Sequence, residues 1–447
     1  MGKFSQCIPK RGIRILDALS ATGLRAVRYA KELESDLPLK IFANDLSSKA
    51  VTAIKQNADA NGVKSLITVS NADASLLMYQ HRNYEDRFLI VDVDPYGSPA
   101  PFLDAAVQCI TDGGMLMVTC TDMAILCGNH SETCYAKYGA LSLKLVSCHE
   151  QALRIVLRQI ESCATRYGRY IVPLLSVSAD FYVRLFVQVF CSPINAKKSA
   201  SRTGSLYHCQ GCNSLTVQPL GRYGSGGGKE SYSVAIGPAV DKVCQFCSHH
   251  FQVGGPIWID PIFSPQFVDH LRQEIAEHEA DYGTRKRLAG MLQVISEELP
   301  DMVLFRTIDD LSRIVKCSSP SMEVVRSAIL NAGYRVSYSH THRTSVKTDA
   351  PNDWIWDMMR RWCETHPVAV DRMPDSSAGK RILAQPCSRT ISFEVRQDAE
   401  PLSKKQEMTR FQVNPEPNWG PKPRPMRTDA RITQSKEAKK FKIDVSE

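Results

Sequence analysis

The stretch 88-FLIVDVDPYGSPAPFLDAA-106 decides the reading of this chain. Five of its first six residues are apolar, which predicts a buried strand, and it ends on Asp94-Pro95-Tyr96-Gly97. A carboxylate, a proline and an aromatic ring at a strand end suit one chemistry well. The exocyclic amine of a nucleobase is a poor nucleophile because its lone pair is delocalised into the ring. A site that alkylates it needs acceptors for its N–H bonds, and Asp94 and the Pro95 carbonyl offer them. Proline stiffens that backbone and removes a donor, and Tyr96 can stack on a base. The competing reading is a strand-ending turn with Asp94 as a cap and Tyr96 in the core.

Outward from this stretch, residues 11–190 alternate strand-like apolar runs with helical patterns, the signature of a largely parallel α/β sheet. Strands are expected at 13–21, 40–47, 66–74, 88–94 and 114–122, a long helix at 140–168 and a long strand at 177–189. Open parallel sheets bind ligands at the C-terminal ends of their strands. There the sequence places a small-residue turn, 17-DALSATGLR-25, in which Gly23 lets backbone approach a ligand and Ser20 or Thr22 can cap the helix. Asp45 follows the second strand, where an acid commonly takes ribose hydroxyls, and Asp73 follows the third, placed to accept from an adenine amino group. Each acid alone reads equally as a helix N-cap. Together they suit an adenosine-bearing cofactor, and the absence of G-x-G-x-x-G argues against a dinucleotide.

The bulk properties agree with a soluble globular protein of two or three domains: 447 residues, 43% hydrophobic, 23% charged and a net charge of +8, a mild sign of an anionic partner. No apolar run is long enough to span a membrane, so the expected compartment is nucleus, cytosol or mitochondrion. The sequence implies no obligate protein partner. The 15 cysteines read as reduced thiols, except Cys209-x-x-Cys212 and Cys244-x-x-Cys247. Two such pairs predict a structural Zn2+ site of zinc-ribbon type with a loop at 224–228; the alternatives are unliganded thiols, or His249 or His250 in place of Cys247. In the second region, Ser319 and Pro320 are expected to open a helix that Gly333 closes, within a winged-helix-like unit. Its basic strand and loop offer Arg335, His340, His342, Arg343 and Lys347 to phosphates, unless they are simply a solvated face.

Ten segments together resemble one family: DALSATGLRAVRYA, ANDLS, NADA, DVDPYGSPAPFLDAA, TCTDMAILCG, CYAKYGALSLK, SVSADFYVRLFV, GGPIWIDPI, VKTDAP and NPEPNWGPKPR. Spread from about residue 11 to about 425, they are similar to the tRNA (guanine(26)-N(2))-dimethyltransferases. The resemblance implies a Rossmann-like class I methyltransferase fold using S-adenosylmethionine, with tRNA as substrate and one or two methyl groups going to guanosine N2. By the same resemblance Arg25 contacts the cofactor, Asp45 holds ribose, Asp73 and Ala74 the adenine, and Asp94, Pro95 and Tyr96 grip the base. It includes the cysteine pairs. It also implies an N-terminally shortened chain, since the family carries an aromatic-Asn-Pro segment before the first strand. The expected organisation is a catalytic domain over 1–192, a linker and four-cysteine module over 193–255, a smaller α+β tRNA-binding domain over 256–395, and a basic, mostly disordered tail over 396–447 with Lys422 and Arg424 as further phosphate contacts. Two other functions fit the residues: an amino-methyltransferase for another base or a protein amide, and a catalytically inactive RNA-binding protein.

Overall fold

The computed structural model describes residues 12–33, 38–226, 229–387 and 389–411. Its centre is a seven-stranded mixed sheet: β1 (Ile13–Asp17), β2 (Leu39–Asn44), β3 (Ile67–Ser70), β4 (Phe88–Val93), β5 (Ile110–Cys120), β6 (Arg169–Ala179) and β7 (Tyr182–Cys191), in the order β3-β2-β1-β4-β5-β7-β6. The first five strands run parallel, and β7 is antiparallel to both of its neighbours. Helices α1 (Leu24–Glu32), α2 (Ser48–Ala60), α3 (Ala74–Gln80) and α4 (Ala100–Cys109) make the crossovers. The strand order reverses between β1 and β4, so their C-terminal ends flank a crevice where such sheets take ligands.

The expected strand at 177–189 is two strands. The chain reverses at Asp180, which adopts φ 50°, and Val177 pairs with Arg184 while Ser178 pairs with Val183. Within 177–189 the odd positions before and after the turn therefore face opposite sides, although the alternation runs unbroken through it. The helix expected at 140–168 begins only at Cys148. It follows α5 (Met123–Leu126) and α6 (Ser131–Tyr138) as α7 (Cys148–Thr165). Residues before it are held in extended form by tertiary bonds: Leu141 exchanges two backbone hydrogen bonds of 2.8 Å with Gly255, and Gln151 binds both the N–H and the carbonyl of Leu143.

Beyond the sheet, the stretch read as a linker winds into α8 (Pro193–Ala196) and a 3-10 turn. A three-stranded sheet follows, of β8 (Thr203–Cys209), β9 (Leu215–Pro219) and, after the hairpin of β10 (Gly221–Gly226) and β11 (Lys229–Val234), β12 (Phe251–Trp258). Helices α9 (Pro265–Glu277) and α10 (Arg285–Glu297) lead to the last unit. There β13 (Arg306–Thr307), α11 (Ile308–Val315), α12 (Met322–Asn331), β14 (Val336–Ser339) and β15 (His342–Thr348) form two helices against a three-stranded sheet in the order β13-β15-β14. The cap of α12 is Ser321, whose hydroxyl accepts from Val324 N, rather than Ser319. Helices α13 (Asn352–Thr365), α14 (Ala378–Ala384) and α15 (Leu402–Lys405) complete the described fold. Residues 397–399 and 402–405 are thus helical rather than tail: Ser403 donates from backbone and hydroxyl to Glu297 at 2.7 Å, and Ala399 accepts from Arg326.

One buried charge network ties this last unit to the central sheet. Lys347, expected to meet phosphates, is 1% exposed, and its ammonium group donates to Glu150 of α7 at 3.1 Å and to Glu298 at 2.7 Å. His340 joins Glu298 at 2.9 Å. Arg154 pairs with Glu150 and reaches the carbonyls of Trp258, Asp260 and Met302. A charge this deep is tolerated only because it is fully paired. Lys347→Ala strands two carboxylates, so the variant should lose about 3–5 kcal/mol of stability, read as a lower urea midpoint at pH 7.5. An unchanged midpoint would mean that the network contributes nothing.

Candidate active site at the sheet edge

The turns after β1, β2, β3 and β4 meet at one edge. After β1 the chain turns through Ala21 (φ 51°) and Gly23 (φ 78°) into α1. A Cβ on Gly23 would press on Ile54 at 3.1 Å as well as strain the backbone. Ser20 and Thr22 do not cap the helix. The Ser20 hydroxyl donates to the Asp17 carbonyl at 2.9 Å, and no described side chain caps α1. Its first N–H groups therefore present an uncompensated positive end to the crevice.

Asp45 braces this turn. One carboxylate oxygen accepts from Ala21 N at 3.0 Å and the other from Ser47 N at 2.8 Å, which leaves further lone pairs facing outward. Asp73 is the N-cap of α3, accepting from Leu76 N at 3.0 Å, with Ala74 buried behind it. Asp73 thus does the capping work of the simpler reading, whereas Asp45 caps no helix, Ser47 being the N-cap of α2; both sit at the edge where the sequence placed a ligand.

At the end of β4 the competing reading of Asp94-Pro95-Tyr96 fails. Tyr96 is 99% exposed, so it is not a core residue, and the N-cap of α4 is Pro99, not Asp94. Pro95 is buried. Gly97, at φ 87°, exchanges hydrogen bonds with Thr121 just past β5: its N–H meets Thr121 Oγ1 at 2.9 Å and its carbonyl accepts from Thr121 N at 3.0 Å. The loop is clamped while its aromatic ring stands free. Leu24, Leu46 and Leu76 are also exposed along this edge.

Behind the loop lies a cluster that motif reading missed. Asp17 and Asp92 are register partners on β1 and β4, both essentially buried. Arg25 does not point away to solvent. Its guanidinium contacts Asp94, lies 3.0 Å from Asp92, and is 4.0 Å from Asp17. Arg184 of β7 takes the far side of Asp92 at 2.9 Å, and the Tyr29 hydroxyl donates to it at 2.7 Å. Three carboxylates thus share two guanidinium groups, and among the described residues neither Asp17 oxygen has a hydrogen-bond partner. Burial, then the neighbouring Asp92 charge, push the Asp17 carboxyl up to about 7. Asp92 was legible in principle, since the alternation of VDVD puts it on the same face as Asp94.

The cysteine pairs converge as expected. Cys209, Cys212, Cys244 and Cys247 are buried, with ligand atoms all within 4.8 Å of one another. Sulfur separations of 3.3 Å (Cys209–Cys247) and 3.6 Å (Cys212–Cys244) exceed a disulfide bond. They approach the edge of about 3.8 Å that a tetrahedron with Zn–S bonds of about 2.3 Å requires. His249 instead contacts the Cys247 carbonyl. Residues 227 and 228 of the expected loop lie outside the described residues, and their flanks form the β10–β11 hairpin. The phosphate contacts fare differently from one another. Arg335 is paired to Asp301 and Asp349, Lys347 is buried, Arg343 is exposed, and Lys422 and Arg424 lie outside the described residues.

The Asp17 shift has a thermodynamic sign. A carboxyl whose folded pKa (about 7) lies above its unfolded value (3.8) binds more protons folded than unfolded between those limits. Stability therefore falls as pH rises from about 4 to about 7. Asp17→Asn removes that loss, on the order of a few kcal/mol. The variant should melt higher than wild type at pH 8, with the gain fading toward pH 4. A gain independent of pH, or a loss at pH 8, would reject the assignment.

Comparison with known proteins agrees with this geometry. Residues 3–360 match the family described as N2,N2-dimethylguanosine tRNA methyltransferase. The chain is 47% identical to the mouse tRNA (guanine(26)-N(2))-dimethyltransferase and 46% to the human one, over 93% of this chain and 63% of each relative. It therefore spans less than two thirds of their length. Against the fruit-fly protein of the same name the identity is 47%, covering 92% of this chain and 72% of that one. Among solved structures, Trm1 from Pyrococcus horikoshii in complex with S-adenosyl-L-methionine superposes with a TM-score of 0.64 at 28% identity, covering 79% of this chain and 88% of that one. With its sheet order, its Asp-Pro-Tyr strand end and its paired cysteines, the chain belongs to the N2,N2-dimethylguanosine tRNA methyltransferase family.

Proposed function

We propose that the chain transfers one or two methyl groups from S-adenosylmethionine to N2 of guanosine 26 in tRNA. The observation that carries this is the clamped Asp94-Pro95-Tyr96 loop, its ring unpacked, above a carboxylate cluster short of positive charge. The residues present fit the cofactor. Its cationic groups match the excess acid of Asp17, Asp92 and Asp94, and its carboxylate matches the uncapped start of α1. Asp45 and Asp73 keep lone pairs for ribose hydroxyls and an adenine amine, and the exposed leucines offer apolar cover. When bound, the cofactor supplies an electrophilic methyl group on a sulfonium.

The chain's own residues do the rest. Asp94, steadied on one side by Arg25, accepts an N–H of the guanine amine, and the Pro95 carbonyl can accept the other. Withdrawing those protons frees the nitrogen lone pair, and the Asp94 carboxylate is placed to take the proton released on alkylation. Tyr96 stacks on the base, which must leave the tRNA helix to reach the crevice. Phosphate contacts repay that unstacking. Arg343 remains available for them, whereas Arg335 would first have to leave its aspartates. The four paired cysteines read as a structural zinc-ribbon-like module within residues 193–255, between the catalytic domain and the winged-helix-like unit.

Two experiments test this reading. Unmodified tRNA incubated with the chain and methyl-labelled cofactor should yield N2-methylated guanosine on nucleoside analysis, and none when guanosine 26 is replaced by adenosine. Asp94→Ala should lower transfer by about a hundredfold or more with tRNA binding retained. Cofactor binding without any transfer would favour an inactive RNA-binding scaffold. Separately, Cys244→Ser should release one equivalent of zinc from the purified protein, and unchanged metal content would refute the four-cysteine assignment.

A further inference from the structure

A second set of soft donors shares no residue with the sheet-edge cluster or with the four paired cysteines. Cys127 directly follows α5, Cys148 opens α7 and His149 comes next. All three are half-buried, and their two sulfur atoms and one imidazole nitrogen lie within 4.8 Å of one another. We propose that Cys127, Cys148 and His149 form a second metal site, taking a borderline divalent cation such as Zn2+, with its fourth position open to solvent.

Four features of the surroundings support this. Two thiolates and an imidazole are donors that zinc prefers, and three protein ligands with an open fourth position is an established zinc arrangement. His149 is already oriented: its Nδ1 shares a hydrogen bond of 2.8 Å with Ser178 Oγ. If Nδ1–H is the donor, Nε2 keeps the lone pair that a metal needs, and the Ser178 bond fixes the ring. Cys148 stands in the first turn of an 18-residue helix, where the N–H groups favour a thiolate. Access exists as well, because Cys127 lines a cavity of about 310 Å3 together with Lys144, Phe305 and Arg306.

The location gives the site a consequence. Cys127 closes the short helix that begins two residues after Thr121, the residue that clamps the Gly97 loop. Ser178 also touches the last unit, its N–H meeting His340 Nε2 at 3.3 Å. A metal here would join the end of α5, the helix that follows Thr121, to the start of α7, beside the Ser178–His340 contact.

The test reads individual thiols in the full chain loaded with Zn2+. Native protein is alkylated with iodoacetamide before and after treatment with 1,10-phenanthroline, and each cysteine is followed by peptide mass spectrometry. Cys127 and Cys148 should react at least tenfold more slowly while metal is present. Cys148→Ser should lower zinc content by one equivalent and expose Cys127, with Cys209, Cys212, Cys244 and Cys247 still protected. His149→Ala keeps both thiols and serves if the serine variant misfolds; it should weaken zinc at this site at least tenfold in a chelator competition. Equal alkylation rates with and without metal would overturn the site. So would protection relieved by a reductant rather than by the chelator, or zinc binding unchanged in both variants.

Discussion

The structure turns on an electrostatic imbalance at the end of β1 and β4. Asp17 and Asp92 are neighbours in register, buried, and joined by Asp94 around one shared guanidinium, that of Arg25. Arg184 relieves Asp92 alone. Like charges packed this way destabilise a fold unless something compensates them, and Asp17 has only the more distant share of Arg25, at 4.0 Å. An apparent defect at the switch point of an open α/β sheet is the kind of strain that binding sites carry. The same cluster ties two strand ends together, since Arg25 reaches from the turn after β1 to Asp94 at the end of β4.

A second buried network holds the catalytic sheet to the rest of the chain. Lys347, Glu298, Glu150, Arg154 and His340 connect α7, β12 and the winged-helix-like sheet through bonds that are almost all satisfied. It differs from the site cluster in that its cations and anions are matched, so it rigidifies where the site cluster leaves a need. This pairing removes Lys347 from the solvent-exposed surface.

The sheet and the site loops were legible because both leave local marks. Buried parallel strands read as apolar runs, and the strand-end signatures at Gly23, Asp45, Asp73 and Asp94 sit where topology puts ligands. What escaped depends on distant partners. The turn at Asp180 was invisible because the alternation of apolar residues continues through it. Residues 141–145 share the apolar pattern of the helix that follows, yet the bonds of Leu141 to Gly255 and of Leu143 to Gln151 hold them out of it. Lys347 sits in a basic stretch by sequence and in an acidic pocket by fold. Asp17 looked like one more polar residue at a strand end, and only its register with Asp92 shows what it does.

The central claim, that the acid cluster awaits positive charge from a cofactor, is tested most directly by isothermal calorimetry of S-adenosylmethionine binding in buffers of different ionisation enthalpy. Burial and the Asp92 charge push the Asp17 carboxyl up to about 7, and an incoming cation should draw it down and release a proton near neutral pH. The account predicts proton release at pH 7 that disappears in Asp17→Asn. Binding with no net proton release at pH 7, or with the same release in the variant, would contradict it.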